Sequence, residues 1–247
     1  MTIFIIENNL DSILECLYHS YVNNVMPSAI VEKSLYQPRL DAVSVALTPI
    51  DSHVERVKNA LIRYSGRSIF GQIDACIRSC QDNALFIAFS YCHEVLKYRA
   101  NIQTCLTYPA VSDFFIAVRK VLTERHKFLG FLRFSATENG VMYACYSPEN
   151  DITELITPHF FKRLAITPFV IHDLKRGKIA ISNGNEVFFT TTTATASLTL
   201  SENEEEFRAL YKKYYSAVNI ESRKNLRQQM NFMPKKYRRF MPETYEI

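Results

Sequence analysis

FVIHDLKRGKIAISNGNEVFF, residues 169–189, reads as three short strands in succession. Residues 169–173 and 178–182 are rich in β-branched and apolar side chains, and Leu174-Lys175-Arg176-Gly177 between them is a turn. Asn183-Gly184-Asn185 makes a second tight turn into 186–189, because Asn and Gly accept the left-handed backbone that such turns require. Upstream, 128–134 and 141–146 read as another strand pair joined through Glu138-Asn139-Gly140, and Asn-Gly is the strongest short hairpin signal. Thr153–Leu164 reads as a helix interrupted by Pro158, with the proline opening its main segment. The pattern predicts an α+β fold, an antiparallel sheet of hairpins packed with helices.

Toward the N-terminus the period becomes helical. Residues 2–6 are a β-type run, and Asn9 or Asp11 can cap a helix carrying Leu14, Leu17, Tyr18 and Tyr21. Residues 43–47 alternate as a short strand, and Asp51 is placed to cap a second helix through Val54, Val57, Leu61 and Ile62. Further helices are predicted at about 68–80 and 84–99, the latter central to the core through Leu85, Phe86, Phe89, Cys92 and Leu96. In 113–127, Phe114, Phe115, Val118, Val121 and Leu122 form a buried stripe, while Arg119, Thr123 and His126 share another face. A Thr-rich connector, 190–195, leads to Ser201-x-x-Glu204, a capping box. The helix that follows is expected to bury Phe207, Leu210, Tyr211, Tyr214 and Val218. Three segments result: a mostly helical region over 1–105, an α+β core over 106–200, and basic helices over 201–247 packed on that core.

No apolar run is long enough to span a bilayer, and the N-terminus lacks the basic region of a signal peptide, so a cytoplasmic location is expected. Six cysteines are too sparse for a disulfide scaffold. Cys76 and Cys80 are spaced i, i+4 in a helical pattern and are read as buried reduced thiols rather than metal ligands. No P-loop, HExxH or zinc-finger spacing is present, and no cofactor or metal is expected.

The net charge of +4 is modest, but the charge is unevenly placed. Residues 207–240 carry ten Lys and Arg against one acid, Glu221. Cations at this density suit a polyanion, and interleaved aromatics offer faces on which bases can stack. The residues assigned to nucleic-acid binding are Arg176, Lys212, Lys213, Arg223, Lys224, Asn225, Arg227, Gln229, Lys235, Lys236, Tyr237, Arg238 and Arg239. Among the aromatics, Tyr237 between Lys236 and Arg238 is the stacking candidate. A solvated helix face is the plainer alternative.

A second cluster could be catalytic: His126, Arg133, His159, Arg163 and Asp173, with His172 nearby. Arginines fork onto phosphate or carboxylate, and a histidine near its working pKa moves protons. The alternative is structural, with Asp173 paired to Arg133 or Arg163 and the histidines satisfying element ends.

Several stretches occur together and in order: Arg125–Phe134 (RHKFLGFLRF), Asn139–Ala144 (NGVMYA), Pro158-His159-Phe160 with Arg163, residues 169–177, and Tyr214-Tyr215 followed by Ile220-Glu221-Ser222-Arg223-Lys224-Asn225, Gln229 and Phe232-Met233-Pro234-Lys235-Lys236-Tyr237. This combination resembles a bacterial DNA-metabolism protein family, a domain of unknown function. In some members it precedes a uracil-DNA-glycosylase-like domain, and such members are encoded beside a radical-SAM protein. The resemblance covers essentially the whole chain and is strongest from Thr123 onward. It implies a role in DNA repair or modification and a radical-SAM-type partner. The family's polar motif positions correspond to His126, Arg133, His159, Arg163, Asp173 and Arg176, with Arg223, Asn225, Gln229, Pro234 and Lys235 in the tail. Because this chain stops at Ile247, no glycosylase activity is expected of it, and without a CxxxCxxC it is not itself the radical-SAM enzyme.

Three functions remain in play. The first is a DNA-binding accessory that presents DNA to a partner enzyme. The second is an enzyme acting on a nucleic-acid phosphate or base. The third is a protein-interaction module.

Overall fold

The computed structural model describes residues 1–192, 201, 204–218 and 225–241, with Arg208, Tyr211, Lys212, Tyr215, Ser216, Val218, Leu226 and Gln229 described by backbone alone. The chain forms two compact units, Met1–Thr123 and Glu124–Ile247. The fold is α+β.

The first unit opens with β1 (Thr2–Ile6), α1 (Leu10–Asn23), β2 (Ala29–Glu32) and β3 (Val43–Ala46). These strands make an all-parallel sheet of order β2-β1-β3, with β1 central. Parallel neighbours require a crossover, and α1 supplies the one from β1 to β2. Asn9 caps α1, its side chain accepting from Ser12 N at 2.8 Å. The strand β2 is not anticipated from the sequence, because Ala29-Ile30-Val31 is a continuous apolar run without the alternation that marks β3.

The helices α2 (Asp51–Ser65), α3 (Ser68–Ile77) and α4 (Ala84–Tyr98) follow. Asp51 is the first residue of α2, not its cap; the cap position is Ile50. The Ile50 N–H donates instead to Glu15 Oε2 from α1, at 3.1 Å. As expected, α4 is central, packing on α1, α2, α3 and β2. Its Tyr91 stacks on Phe114, ring centroids 4.0 Å apart. Because α3 ends at Ile77, Cys76 and Cys80 do not share a helix, and only Cys76 is buried. Burial pushes the Cys76 thiol up to about 12.

The helix α5 (Pro109–Phe131) begins in the first unit and ends in the second. It runs through most of the segment read as a strand at 128–134. Val121, Glu124, Phe128 and Leu132 are all buried, so the helical stripe simply continues. The segment's Leu and Phe residues carry no β-branching to oppose it. The strand that remains is β4 (Ser135–Ala136).

The second unit continues with β5 (Met142–Tyr146), α6 (Thr153–Leu164), β6 (Phe169–Asp173), β7 (Lys178–Ser182) and β8 (Val187–Thr191). The sheet order is β4-β5-β6-β7-β8. It is mixed rather than wholly antiparallel: β5 and β6 are parallel, joined by the α6 crossover, and the other pairs are antiparallel. Pro158 lies inside an unbroken α6 instead of opening a segment. Alternation along the strands buries Ala144, Tyr146, Phe169, Ile171 and Ala180 on one face, and α6 packs on β6 and β7.

The chain then forms α7 (Glu204–Val218), α8 (Leu226–Phe232) and α9 (Lys235–Arg238). Glu204 is buried, and its Oε2 accepts from Ala136 N at 3.0 Å. Phe207, Leu210 and Tyr214 were expected inside, but they are 62 %, 63 % and 62 % exposed. Helical spacing aligns them on one side of α7, yet that stripe faces solvent. Tyr211 and Val218 belong to the same expectation, and their side chains lie outside the described residues. No helix among the described residues is long and apolar enough to cross a membrane.

Candidate nucleic-acid interface

Glu124 organises the attachment of the C-terminal segment. It lies on the buried stripe of α5, three residues after Val121 and four before Phe128, and is itself buried. Its Oε1 accepts from Glu149 N and from the Tyr237 hydroxyl, both at 2.9 Å. Its Oε2 accepts from Asn150 N at 2.8 Å and Asn150 Nδ2 at 2.6 Å. Four donors satisfy a carboxylate that would otherwise be costly to bury.

Tyr237 is therefore not a stacking platform. It is buried, with its ring edge-on to Phe128 at 4.8 Å between centroids. Burial, followed by the neighbouring Glu124 charge, pushes its phenol well above the usual range. Arg238 is also buried and donates through Nε to Met233 O at 3.1 Å, so it too is a packing residue. Lys236 remains partly open but pairs with Glu149.

The other basic positions divide cleanly. Lys213, Arg227, Lys235 and Arg239 are exposed, as is Asn225. Glu205 and Glu206 are exposed in the first turn of α7, where acids complement the helix dipole. Lys212 and Gln229 are placed by backbone only, and Arg223 and Lys224 lie outside the described residues.

The candidate catalytic residues are spread over α5 and the turn after it, α6 and β6. His126 is exposed on α5, and His159 and Arg163 are exposed on α6. Arg133 donates to Gly130 O at 2.6 Å, closing the end of α5. Asp173 is fully buried and is taken up by Arg176, not by Arg133 or Arg163. The Arg176 Nη1–Asp173 Oδ2 distance is 3.0 Å, and Asp173 Oδ1 also accepts from Lys175 N at 2.9 Å. Arg176 donates further to Pro148 O and Glu149 O. Arg176 thus braces the β6–β7 turn rather than presenting a free charge. Burial raises the Asp173 carboxyl, and the guanidinium and two backbone N–H groups offset only part of that.

Two polar relationships had no sequence signal, because one depends on strand register and the other on how α6 and the loop before it pack on β7. The Tyr143 hydroxyl and His172 Nδ1 are 2.9 Å apart between β5 and β6. Burial lowers the His172 pKa, with partial compensation from Asp173, and raises Tyr143 to about 12. Lys178 bridges Asp151 at 2.9 Å and Glu154 at 2.8 Å. Burial pulls its pKa down, but the two carboxylates outweigh that and raise it overall. Among the described residues, no group of three or more His, Cys, Asp or Glu side chains could hold a metal ion.

Residues 82–243 match a protein family described as a domain of unknown function (DUF4130). No curated protein and no solved structure matches the chain.

Proposed function

This chain belongs to the DUF4130 family, and we propose that it is a DNA-binding accessory in DNA repair or metabolism, its C-terminal unit holding nucleic acid for a partner enzyme of the radical-SAM type. The observation that carries this is the division of labour in the tail. Lys236, Tyr237 and Arg238 fasten the segment, while Lys213, Arg227, Lys235 and Arg239 stay exposed. Lys235 and Arg239 flank these anchors directly, and a fastened segment presents such cations at fixed positions, so less ordering entropy is lost on binding. The repair context and the partner come from the family resemblance of the sequence. An acid–base site is less well supported, because Asp173 is already committed to Arg176.

Four phosphate contacts give a slope of log affinity against log salt of about −3.6 on duplex DNA. Fluorescence anisotropy between about 50 and 200 mM salt measures it. A flat salt dependence, or no binding of either duplex or single-stranded DNA at the low end, ends this reading.

A second reading is favoured by the exposed stripe Phe207, Leu210 and Tyr214 on α7, which suits a protein surface. In that case the partner co-purifies after nuclease treatment and is lost when Leu210 is changed to Asp.

A further inference from the structure

The sheet of the C-terminal unit has a second face, opposite its core, and register fixes what lies there. Tyr143 on β5 pairs with Val170 on β6, Val170 with Ile181 on β7, and Ile181 with Phe188 on β8. Directly paired residues point to the same side of a pleated sheet. These four therefore form one row across four strands. Alternation sends Ala144, Ile171 and Ala180 to the opposite side, where all three are buried.

The row opens toward β8. Tyr143 and Val170 are partly exposed, Ile181 is 39 % exposed and Phe188 is 53 % exposed. Its chemistry is aromatic and aliphatic, with no carboxylate. The one acid on these strands, Asp173, pairs in register with Tyr146 and Lys178 and so lies on the core side. A positive charge acts on the same face: the field of Arg239 reaches Cys145, two residues along β5 from Tyr143, while that of Asp173 reaches His172 from the core side. Tyr143 is also held in place, its hydroxyl 2.9 Å from His172 Nδ1.

We propose that this row is a stacking platform for the bases of single-stranded nucleic acid, with Phe188 and Tyr143 each taking a base and Arg239 contributing to the phosphate contacts. The proposal rests on the nucleic-acid reading above and narrows it to single strands. Aromatic side chains on a sheet face hold unstacked bases, whatever their identity, through π-faces that a duplex hides. Tyr143 and Phe188 are three strand spacings apart, about 14 Å. Bases stacked in a helix sit about 3.4 Å apart, so only a splayed strand places one base on each ring. An apolar protein segment would use Ile181 and Phe188, but it gains nothing from a pinned tyrosine or a nearby arginine.

The test has an internal control. Phe189 is next to Phe188 on the same strand and 45 % exposed, but it points to the other face. Binding of the full chain to labelled oligothymidylate of about 15 nucleotides is measured for wild type, F188A and F189A. Wild type should prefer this ligand to duplex DNA. F188A should weaken it about tenfold, within the range for loss of one stacked base, and F189A should leave it unchanged. The chain has no tryptophan, so F188W gives a single indole whose emission should be quenched by the bound oligonucleotide. Wild-type affinity in F188A, or equal losses in F188A and F189A, overturns the platform. If wild type binds neither single strand nor duplex at low salt, the nucleic-acid reading falls with it. If both bind and only substitution of the exposed cations matters, the platform alone falls. It falls likewise if F188A disperses a dimer without changing oligonucleotide affinity, because the face then belongs to a second copy.

Discussion

The Tyr237 hydroxyl donates to Glu124 Oε1 at 2.9 Å, across 113 positions of sequence. The bond joins the C-terminal segment to the end of α5 through a carboxylate that also holds the backbone of Glu149 and Asn150. Position of the tail and order of the loop after β5 are therefore coupled in one buried group.

Tyr237→Phe keeps the ring against Phe128 and removes only the donor. It is expected to cost about 1–2 kcal/mol, since hydrogen bonds to charged groups exceed neutral ones. Glu124→Ala strands several buried donors at once and should cost clearly more, about 3 kcal/mol. Urea unfolding of the two variants measures the order. Equal losses would mean that the loop bonds contribute nothing beyond the tyrosine. Alkali should act on the same bond. The folded phenol pKa lies above its ordinary value of 10.0, so the folded state holds its proton longer than the unfolded chain does. That contribution is whole below about pH 10 and is lost as pH rises toward the raised value.

His172 gives a dependence at the other end of the scale. Its folded pKa is lowered from 6.5, chiefly by burial. As pH falls through about 6.5, the unfolded chain takes up a proton that the folded chain still resists. Stability is therefore full above that pH and declines below it, by up to about 1.4 kcal/mol per pH unit. His172→Asn cannot titrate in this range. Thermal melts of the two proteins at several pH values between about 5 and 7 should diverge in slope; parallel curves would show that His172 is not responsible.

Much of the fold is legible in local pattern, and what is hidden is hidden for identifiable reasons. Three strand positions at 169–189 and the helix at Ala84–Tyr98 are written in periodicity and turn residues. The end of α5 was misread because Lys127-Phe128-Leu129-Gly130-Phe131 is apolar enough for either period, and only continuity with Val121 and Glu124 decides it. The parallel pairing of β5 with β6 was signalled by the helix Thr153–Leu164 between them, because a connection of that length is a crossover and not a hairpin. The candidate site suffers most. Nothing local to Tyr237 or Arg238 separates them from exposed Lys235 and Arg239. Their burial is set by Glu124, far away in sequence, just as the partner of Asp173 is set by the turn geometry that brings Arg176 back onto it.

Glu15 offers a test in the first unit. Its two oxygens serve the start of α2, one at 3.1 Å from Ile50 N and the other at 3.0 Å from His53 Nδ1. Tyr18 stacks on the same imidazole at 3.7 Å. With no side-chain cap of its own, α2 depends on this carboxylate from another helix. Glu15→Ala should cost about 1–3 kcal/mol, and Glu15→Gln, which retains an acceptor, should cost less. Chemical denaturation, together with amide exchange at Ile50, separates a lost cap from a general loss of packing. Unchanged exchange at Ile50 would count against the capping role.

Gly177 and Gly140 both have positive φ, 63° and 75°, but their surroundings differ. A Cβ on Gly140 meets nothing within 4 Å, whereas one on Gly177 would lie 2.2 Å from the Thr192 carbonyl oxygen. That contact is with backbone, which cannot swing aside as a flexible side chain could. It also lies beside the bond from Thr192 N to Gly177 O, 2.7 Å long, where the chain leaves β8. Gly140→Ala should therefore show only the left-handed penalty of about 1 kcal/mol. Gly177→Ala adds displacement of Thr192 and should cost about 2–4 kcal/mol. The loss should be accompanied by faster amide exchange at Thr192. Comparable melting temperatures for the two variants, with Thr192 still protected, would mean that the β6–β7 turn and the exit from β8 are not locked together at this glycine.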